Sequence, residues 1–145
     1  MIVWTLVSRM ASDVLVLPGG VHGMPISDYV RALEARLPET QITLARTTRD
    51  VETMLPDATI VTGQQFDADM LEQAPAMELF QVLSAGTEHL PLEAFESNGV
   101  TVTNASGVHG PNVAEHAIGA ALSLTRRFQV ARRQQDRCEW RRFEA

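Results

Sequence analysis

Residues 79–104 read LFQVLSAGTEHLPLEAFESNGVTVTN, and their layout decides the fold. Leu79 to Leu83 is an apolar run of strand type that stops at four small residues, Ser84-Ala85-Gly86-Thr87. Leu92 to Ser97 has the spacing of a short helix, closed by Asn98-Gly99, a good C-cap pair. Val100-Thr101-Val102 is a second strand, ending at Asn104. A strand, a helix and a strand in so short a span make a crossover unit, which places the two strands parallel.

The same alternation extends upstream. Asp13 to Leu17 reads as a buried strand closed by Pro18-Gly19-Gly20. Ser27 to Arg36 reads as a helix with Ser27 as N-cap, and Gln41 to Ala45 as a strand. Asp50 to Leu55 is a short helix ending near Pro56, and Ala58 to Val61 is a strand that ends at Gly63. Asp67 to Gln73 is a further helix with Met70 and Leu71 turned inward. Strand and helix alternate five times, and strands apolar on both sides belong inside a covered parallel sheet. The expected fold is therefore α/β: a doubly wound, five-stranded parallel sheet of flavodoxin-like, Rossmann-like type, in the order 2-1-3-4-5.

The last element differs. Asn112 to about Gln135 reads as one helix, with Val113, Ala117, Ala121, Leu124 and Phe128 along an apolar face. Uninterrupted, it would run about 36 Å, too long to cover a sheet of this size. Gly119-Ala120-Ala121 leaves a nearly flat surface for close packing. The expected organisation is an N-terminal extension or start-site overrun at 1–12, an α/β domain at 13–110, and a long helix at 111–145 leading to another body.

Composition bounds the rest. The chain has 145 residues, 45% of them hydrophobic, enough to bury a core without disulfides or metal. No apolar run approaches the roughly 20 residues that span a bilayer, so no membrane is expected. Cys138 is the lone cysteine, which favours a reducing cytoplasm, and Asn104-Ala105-Ser106 is read as a chance sequon. The net charge is −6, and all 12 basic residues are Arg. A GC-rich genome and a halophile's high-salt cytoplasm both produce such a composition. Seven Arg lie from Arg126 to Arg142, and the aromatics among them, Phe128 and Trp140, are too few for the interleaving of a nucleic-acid surface. The arginines read as the last turns of a helix rather than a nucleic-acid surface.

In a parallel sheet of this kind, ligands bind outside the carboxyl ends of the strands. There the sequence puts Pro18-Gly19-Gly20, Thr62-Gly63, Ser84-Ala85-Gly86 and Asn104 to Gly107. Successive N–H groups in a tight turn converge on an anion, and Ala85 and Gly86 leave room for one. A plain strand-to-helix turn, with Glu88 capping the next helix, accounts for the same residues equally well. His22, His89, His109 and His116 fit no zinc spacing. His89 and His116 are expected to make structural hydrogen bonds, while His109 sits in a glycine-rich loop able to face a ligand. There is no Gly-x-Gly-x-x-Gly, no Walker motif and no Gly-x-Ser-x-Gly.

Phe80 to Leu92, Asn98-Gly-Val-Thr-Val-Thr-Asn104 and Asn112-Val-Ala-Glu-His-Ala117 together resemble the D-isomer-specific 2-hydroxyacid dehydrogenases, in their order and their spacing. The likeness is close over Leu79 to Arg127 and extends in layout from Asp13 to about Arg142. It implies a substrate-binding domain in which Ser84 and the Ala85 and Gly86 amides hold the carboxylate of a small 2-hydroxy or 2-oxo acid. His109 falls where the related formate dehydrogenases place a substrate-contacting Asn. Val113 would face the nicotinamide ring of NAD or NADP. Glu88 stands where the family usually has Asp. The resemblance implies no catalytic residue here: the family's Arg, Glu and His come from a dinucleotide-binding domain expected soon after Glu139-Trp140. The helix that returns to complete the first domain is likewise not in this sequence. A homodimer is implied, and inactivity of this chain alone is expected. The rival reading is a non-enzymatic flavodoxin-like binding or dimerisation module. Its response-regulator form fails, because the required acids are replaced by Pro18-Gly19-Gly20 and Thr62-Gly63.

Overall fold

The computed structural model describes residues 14–20 and 23–142. The expectations for residues 1–12, for His22 and for Asp13 as the start of a strand lie outside them. The chain divides after Ser106 into two compact units.

In the first unit the elements run β1 (Val14–Val16), α1 (Ile26–Glu34), β2 (Ile42–Leu44), α2 (Thr48–Met54), a 3-10 turn (Leu55–Asp57), β3 (Ile60–Gly63), α3 (Ala68–Glu72), β4 (Leu79–Val82), α4 (Leu92–Ser97) and β5 (Thr101–Thr103). The five strands form one parallel sheet in the order β2-β1-β3-β4-β5, the 2-1-3-4-5 order expected from the sequence. Side chains alternate across it. Val14, Val16, Ile60 and Leu79 face α1, where Ile26, Tyr29, Val30 and Leu33 cover them. Leu15, Leu17, Val61, Phe80 and Val82 face the other way and pack with Leu55, Leu71, Leu90 and Phe95. The centre of that side is aromatic. Phe66, Phe80 and Phe95 have ring centroids 4.9, 5.5 and 5.3 Å apart, and each ring is buried.

The Tyr29 hydroxyl meets the Thr62 hydroxyl at 3.3 Å. Burial pushes the Tyr29 pKa up, with the Thr62 hydrogen bond opposing it. On the α1 side the sheet turns polar at its far edge, where Thr103 Oγ1 donates to Gln81 Oε1 at 2.8 Å.

Three local expectations are corrected. Ser27 does not cap α1: Pro25 is the N-cap, and the Ser27 hydroxyl turns to Asp28 at 3.4 Å. Proline's fixed φ suits the residue entering a helix, and the helix therefore begins one residue earlier. The helix expected from Asp50 begins at Thr48, because Thr47 and Asp50 form a capping box. The Arg46 and Thr47 backbone N–H groups both donate to Asp50 Oδ2 at 2.9 Å and hold its carboxyl below the usual carboxylate range. That stabilisation is present above the unfolded-state pKa and is lost as pH falls through the folded one.

The third correction concerns the C-terminal helix. It is two helices, α5 (Gly110–Thr125) and α6 (Phe128–Asp136). Arg127 adopts a left-handed conformation at φ 53° and breaks the run. The Thr125 hydroxyl donates back to Ala121 O at 2.9 Å, a bond that bends helices, and Arg127 N donates only three residues back, to Leu124 O at 3.2 Å. With its 16 residues, α5 is about 24 Å long rather than 36.

Candidate functional site

The carboxyl ends of β1, β3, β4 and β5 carry the small-residue loops. Strand β4 ends at Val82, and the buried Leu83 donates its N–H to Gly63 O at 2.9 Å, which anchors the loop that follows. From there the backbone carbonyls are taken up one after another. Ser84 O accepts from Ala105 N at 3.0 Å, Ala85 O from Asn104 Nδ2 at 2.7 Å, and Gly86 O from Ser84 Oγ at 2.7 Å. The N–H groups are left over. Among the described residues, neither the Ala85 nor the Gly86 amide donates to a protein acceptor. A loop whose carbonyls are all bound inward and whose successive amides are free presents donors to an incoming acceptor.

Gly86 is needed here for space and not for its dihedrals, since it does not adopt a positive φ. A Cβ built on it would collide with Glu88 Oε2. Glu88 therefore lies against Gly86 and does not cap α4, whose N-cap is Pro91 with no side-chain bond. This corrects the plain-turn reading, in which Glu88 satisfies the next helix. Asn104 serves as a brace for the loop, and its amide also accepts from Ser106 N at 3.3 Å.

Histidine 89 makes the structural bond expected of it. Its Nε2 lies 2.8 Å from Gln64 O, joining the loops after β3 and β4. Gln64 Nε2 reaches on to Gly20 O at 3.4 Å, after β1. These ties link residues 25 and 44 positions apart, and no spacing in the sequence signals them. His116 stands exposed on α5 and makes no hydrogen bond with the described residues, contrary to expectation, because the helix face it occupies is uncovered.

His109 and Val113 belong to the second unit. His109 occupies the N-cap position of α5 without a side-chain cap, and its carbonyl accepts from Val113 N at 2.9 Å. Val113 is 63% exposed in the first turn of α5. Among the described residues no three His, Cys, Asp or Glu side chains gather as metal ligands, and no helix is long and apolar enough to cross a membrane.

The family model for the D-isomer specific 2-hydroxyacid dehydrogenase catalytic domain matches residues 24–138, from the strand–helix alternation through both C-terminal helices. The chain belongs to that family. Among family relatives, a putative 2-hydroxyacid dehydrogenase of Haemophilus influenzae is 32% identical over 84 residues, covering 58% of this chain and 27% of the relative. Formate dehydrogenase 1 of Saccharomyces cerevisiae is 31% identical over 98 residues, covering 64% and 26%. The fold is shared with a D-isomer specific 2-hydroxyacid dehydrogenase family protein of Aeromonas salmonicida, at a TM-score of 0.64 and 24% identity over 93% of this chain and 42% of that one. A D-lactate dehydrogenase of Treponema pallidum has a TM-score of 0.69 at 15% identity, covering 91% and 41%. The chain thus spans about a quarter of the length of the curated relatives it matches.

Proposed function

We propose that this chain is the substrate-binding domain of an NAD(P)-dependent D-2-hydroxyacid dehydrogenase, an oxidoreductase that interconverts a 2-hydroxy acid and its 2-oxo acid. The observation that carries the reading is the loop after β4. Its Ser84, Ala85 and Gly86 carbonyls are bound within the protein, and its Ala85 and Gly86 amides are not. The substrate carboxylate seats on those two amides as a charge-assisted acceptor. Ser84 shapes the seat by holding Gly86 O rather than by touching substrate. His109 is assigned to the substrate side and Val113 to the nicotinamide side on the family pattern. The proposed setting is cytoplasmic.

The fit of this chain to the dinucleotide is partial. Val113 offers an exposed apolar contact for a nicotinamide ring, but no Gly-x-Gly-x-x-Gly loop is present to cradle a pyrophosphate. NAD or NADP is therefore held mainly by the family's dinucleotide-binding domain. When bound, the nicotinamide exchanges a hydride with substrate C2. The residues here orient the acid; the proton-transfer pair and the carbonyl-polarising Arg come from the other domain. The chain alone is accordingly inactive. Purified chain given NADH or NADPH with a panel of 2-oxo acids should show no loss of nicotinamide absorbance. Sustained turnover by the chain itself would overturn this assignment.

The proposal includes a homodimer through α5. Val113, Ile118, Leu122 and Leu124 are all exposed large apolar residues on that helix, and Phe128 is another at the start of α6. Val113 and Leu124 lie on one side of α5 and Ile118 and Leu122 on the opposite side, so large apolar side chains face outward in two directions and expect cover. Each large side chain removed from water contributes about 1.5–3 kcal/mol. A Cβ on Gly119 would meet nothing within 4 Å, so a second helix can approach closely there. Sedimentation should show a discrete dimer that Ala120→Arg converts to monomer. A monomeric wild-type chain, or polydisperse aggregate indifferent to the change, would contradict it.

A further inference from the structure

The two amides of the proposed seat owe their direction to the carbonyls of their own peptides. In a trans peptide the C=O and the N–H point to opposite sides of the chain, and among the described residues no peptide is cis. Ser84 O accepts from Ala105 N at 3.0 Å, so the N–H of the same peptide, that of Ala85, turns away from Ala105. Ala85 O accepts from Asn104 Nδ2 at 2.7 Å, so the Gly86 N–H turns away from Asn104. In an extended strand successive N–H groups alternate between the two edges. Here one segment, residues 104–105, takes both carbonyls, and both amides are left facing its far side.

That segment is itself held against β4. Below the loop, Thr103 Oγ1 donates to Gln81 Oε1 at 2.8 Å, and Gln81 Nε2 donates to Val82 O at 2.7 Å. These bonds tie the end of β5 to the end of β4, its neighbour in the sheet. The Asn104 side chain is fixed at both ends: Oδ1 accepts from Ser106 N at 3.3 Å, while Nδ2 donates to Ala85 O. A backbone N–H needs the oxygen and a carbonyl needs the nitrogen, so the partners decide which way the amide stands. Of the two bonds that aim the seat, the one to Ser84 O is backbone to backbone and independent of side chains. The one to Ala85 O depends on a single side chain.

We infer that Asn104 is a positioning residue for the carboxylate: through the plane of the Ala85–Gly86 peptide it points the Gly86 N–H at the acid without touching it. The inference rests on the proposed seating of the carboxylate at Ala85 and Gly86. A donor already aimed binds more tightly than a loose one, because the acid does not have to order the peptide as it arrives. An anion on the N–H also polarises the peptide and strengthens the bond from Asn104 on its other side.

Titration of the isotope-labelled chain with glycolate, in the parent and in Asn104→Ser, tests this. Serine keeps a hydroxyl that accepts from Ser106 N, is too short to reach Ala85 O, and adds no charge. In the parent both backbone amides should shift saturably, and the Asn104 side-chain amide should move on the same binding curve. In the variant glycolate should bind about tenfold more weakly, the scale of one charge-assisted hydrogen bond. The Gly86 shift at saturation should be largely lost and the Ala85 shift largely kept. Unchanged affinity and shifts in the variant would overturn the role of Asn104. So would loss of both shifts together in a variant whose circular dichroism matches the parent, since Asn104 would then hold the whole loop and not one peptide. Should the variant not fold, the parent still decides: an Asn104 side-chain amide that stays still while the Gly86 N–H shifts would overturn the inference. No response at either backbone amide in the parent would overturn the carboxylate seat, and the inference with it.

Discussion

Phe80→Ala is expected to lower the unfolding free energy by about 3–5 kcal/mol, a large share of the roughly 5–15 kcal/mol that holds a domain of this size together. Phe80 is fully buried at the centre of β4 and stacks on Phe95 at 5.3 Å with an interplanar angle of 20°. Phe66 leans on both rings, at 4.9 and 5.5 Å. Removing this ring deletes two aromatic contacts and leaves a void between β4, the segment before α3 and the helix α4. Neither Leu71 nor Leu90, both themselves buried, can fill it without leaving its own place. Chemical denaturation of the two proteins gives the difference directly. A loss under about 1 kcal/mol would mean that the triad is not the core of this face.

Gly86→Val is expected to act on function with little effect on the fold. In an enzyme that joins this domain to its dinucleotide-binding domain, kcat/KM for a 2-oxo acid should fall about 100-fold, chiefly through KM. The backbone of Gly86 is not in the left-handed region, so a branched side chain brings no dihedral strain of that kind. The atoms a Cβ would strike are the far end of Glu88, which is exposed and able to swing away. On the proposed seating, the valine side chain crowds the approach of a carboxylate to the Ala85 and Gly86 amides. Circular dichroism and thermal unfolding should match the parent. Unchanged kinetics in a folded Gly86→Val enzyme would remove the loop from the substrate site.

How much of this is legible in the chain depends on how local each cause is. The parallel, doubly covered sheet follows from crossovers too long for hairpins and from apolar runs such as Val14–Val16 and Ile60–Gly63, which are buried on both faces. The proposed seat at Ala85-Gly86 is marked by an excess of small residues where a strand ends. Thr47-x-x-Asp50 is a readable capping signature, and it places the helix start at Thr48. The break in the last helix is not readable: Arg126-Arg127 contains neither Gly nor Pro, and a left-handed arginine has no local sequence signal. Ser27 looks like a cap, but Pro25 sets the chain direction before it. The ties from His89 to Gln64 and from Asn104 to Ala85 depend on which strands are neighbours, so they appear only once the sheet is assembled.

The loop after β4 is proposed to bind a carboxylate through its backbone. Titration of the isotope-labelled chain with glycolate, read at every assigned amide, tests it most directly. Saturable shifts are expected, centred on the Ala85 and Gly86 N–H groups, neither of which donates to a protein acceptor among the described residues, and they should disappear in Gly86→Val. Saturable shifts centred elsewhere on the chain, with those two amides unmoved, would contradict it.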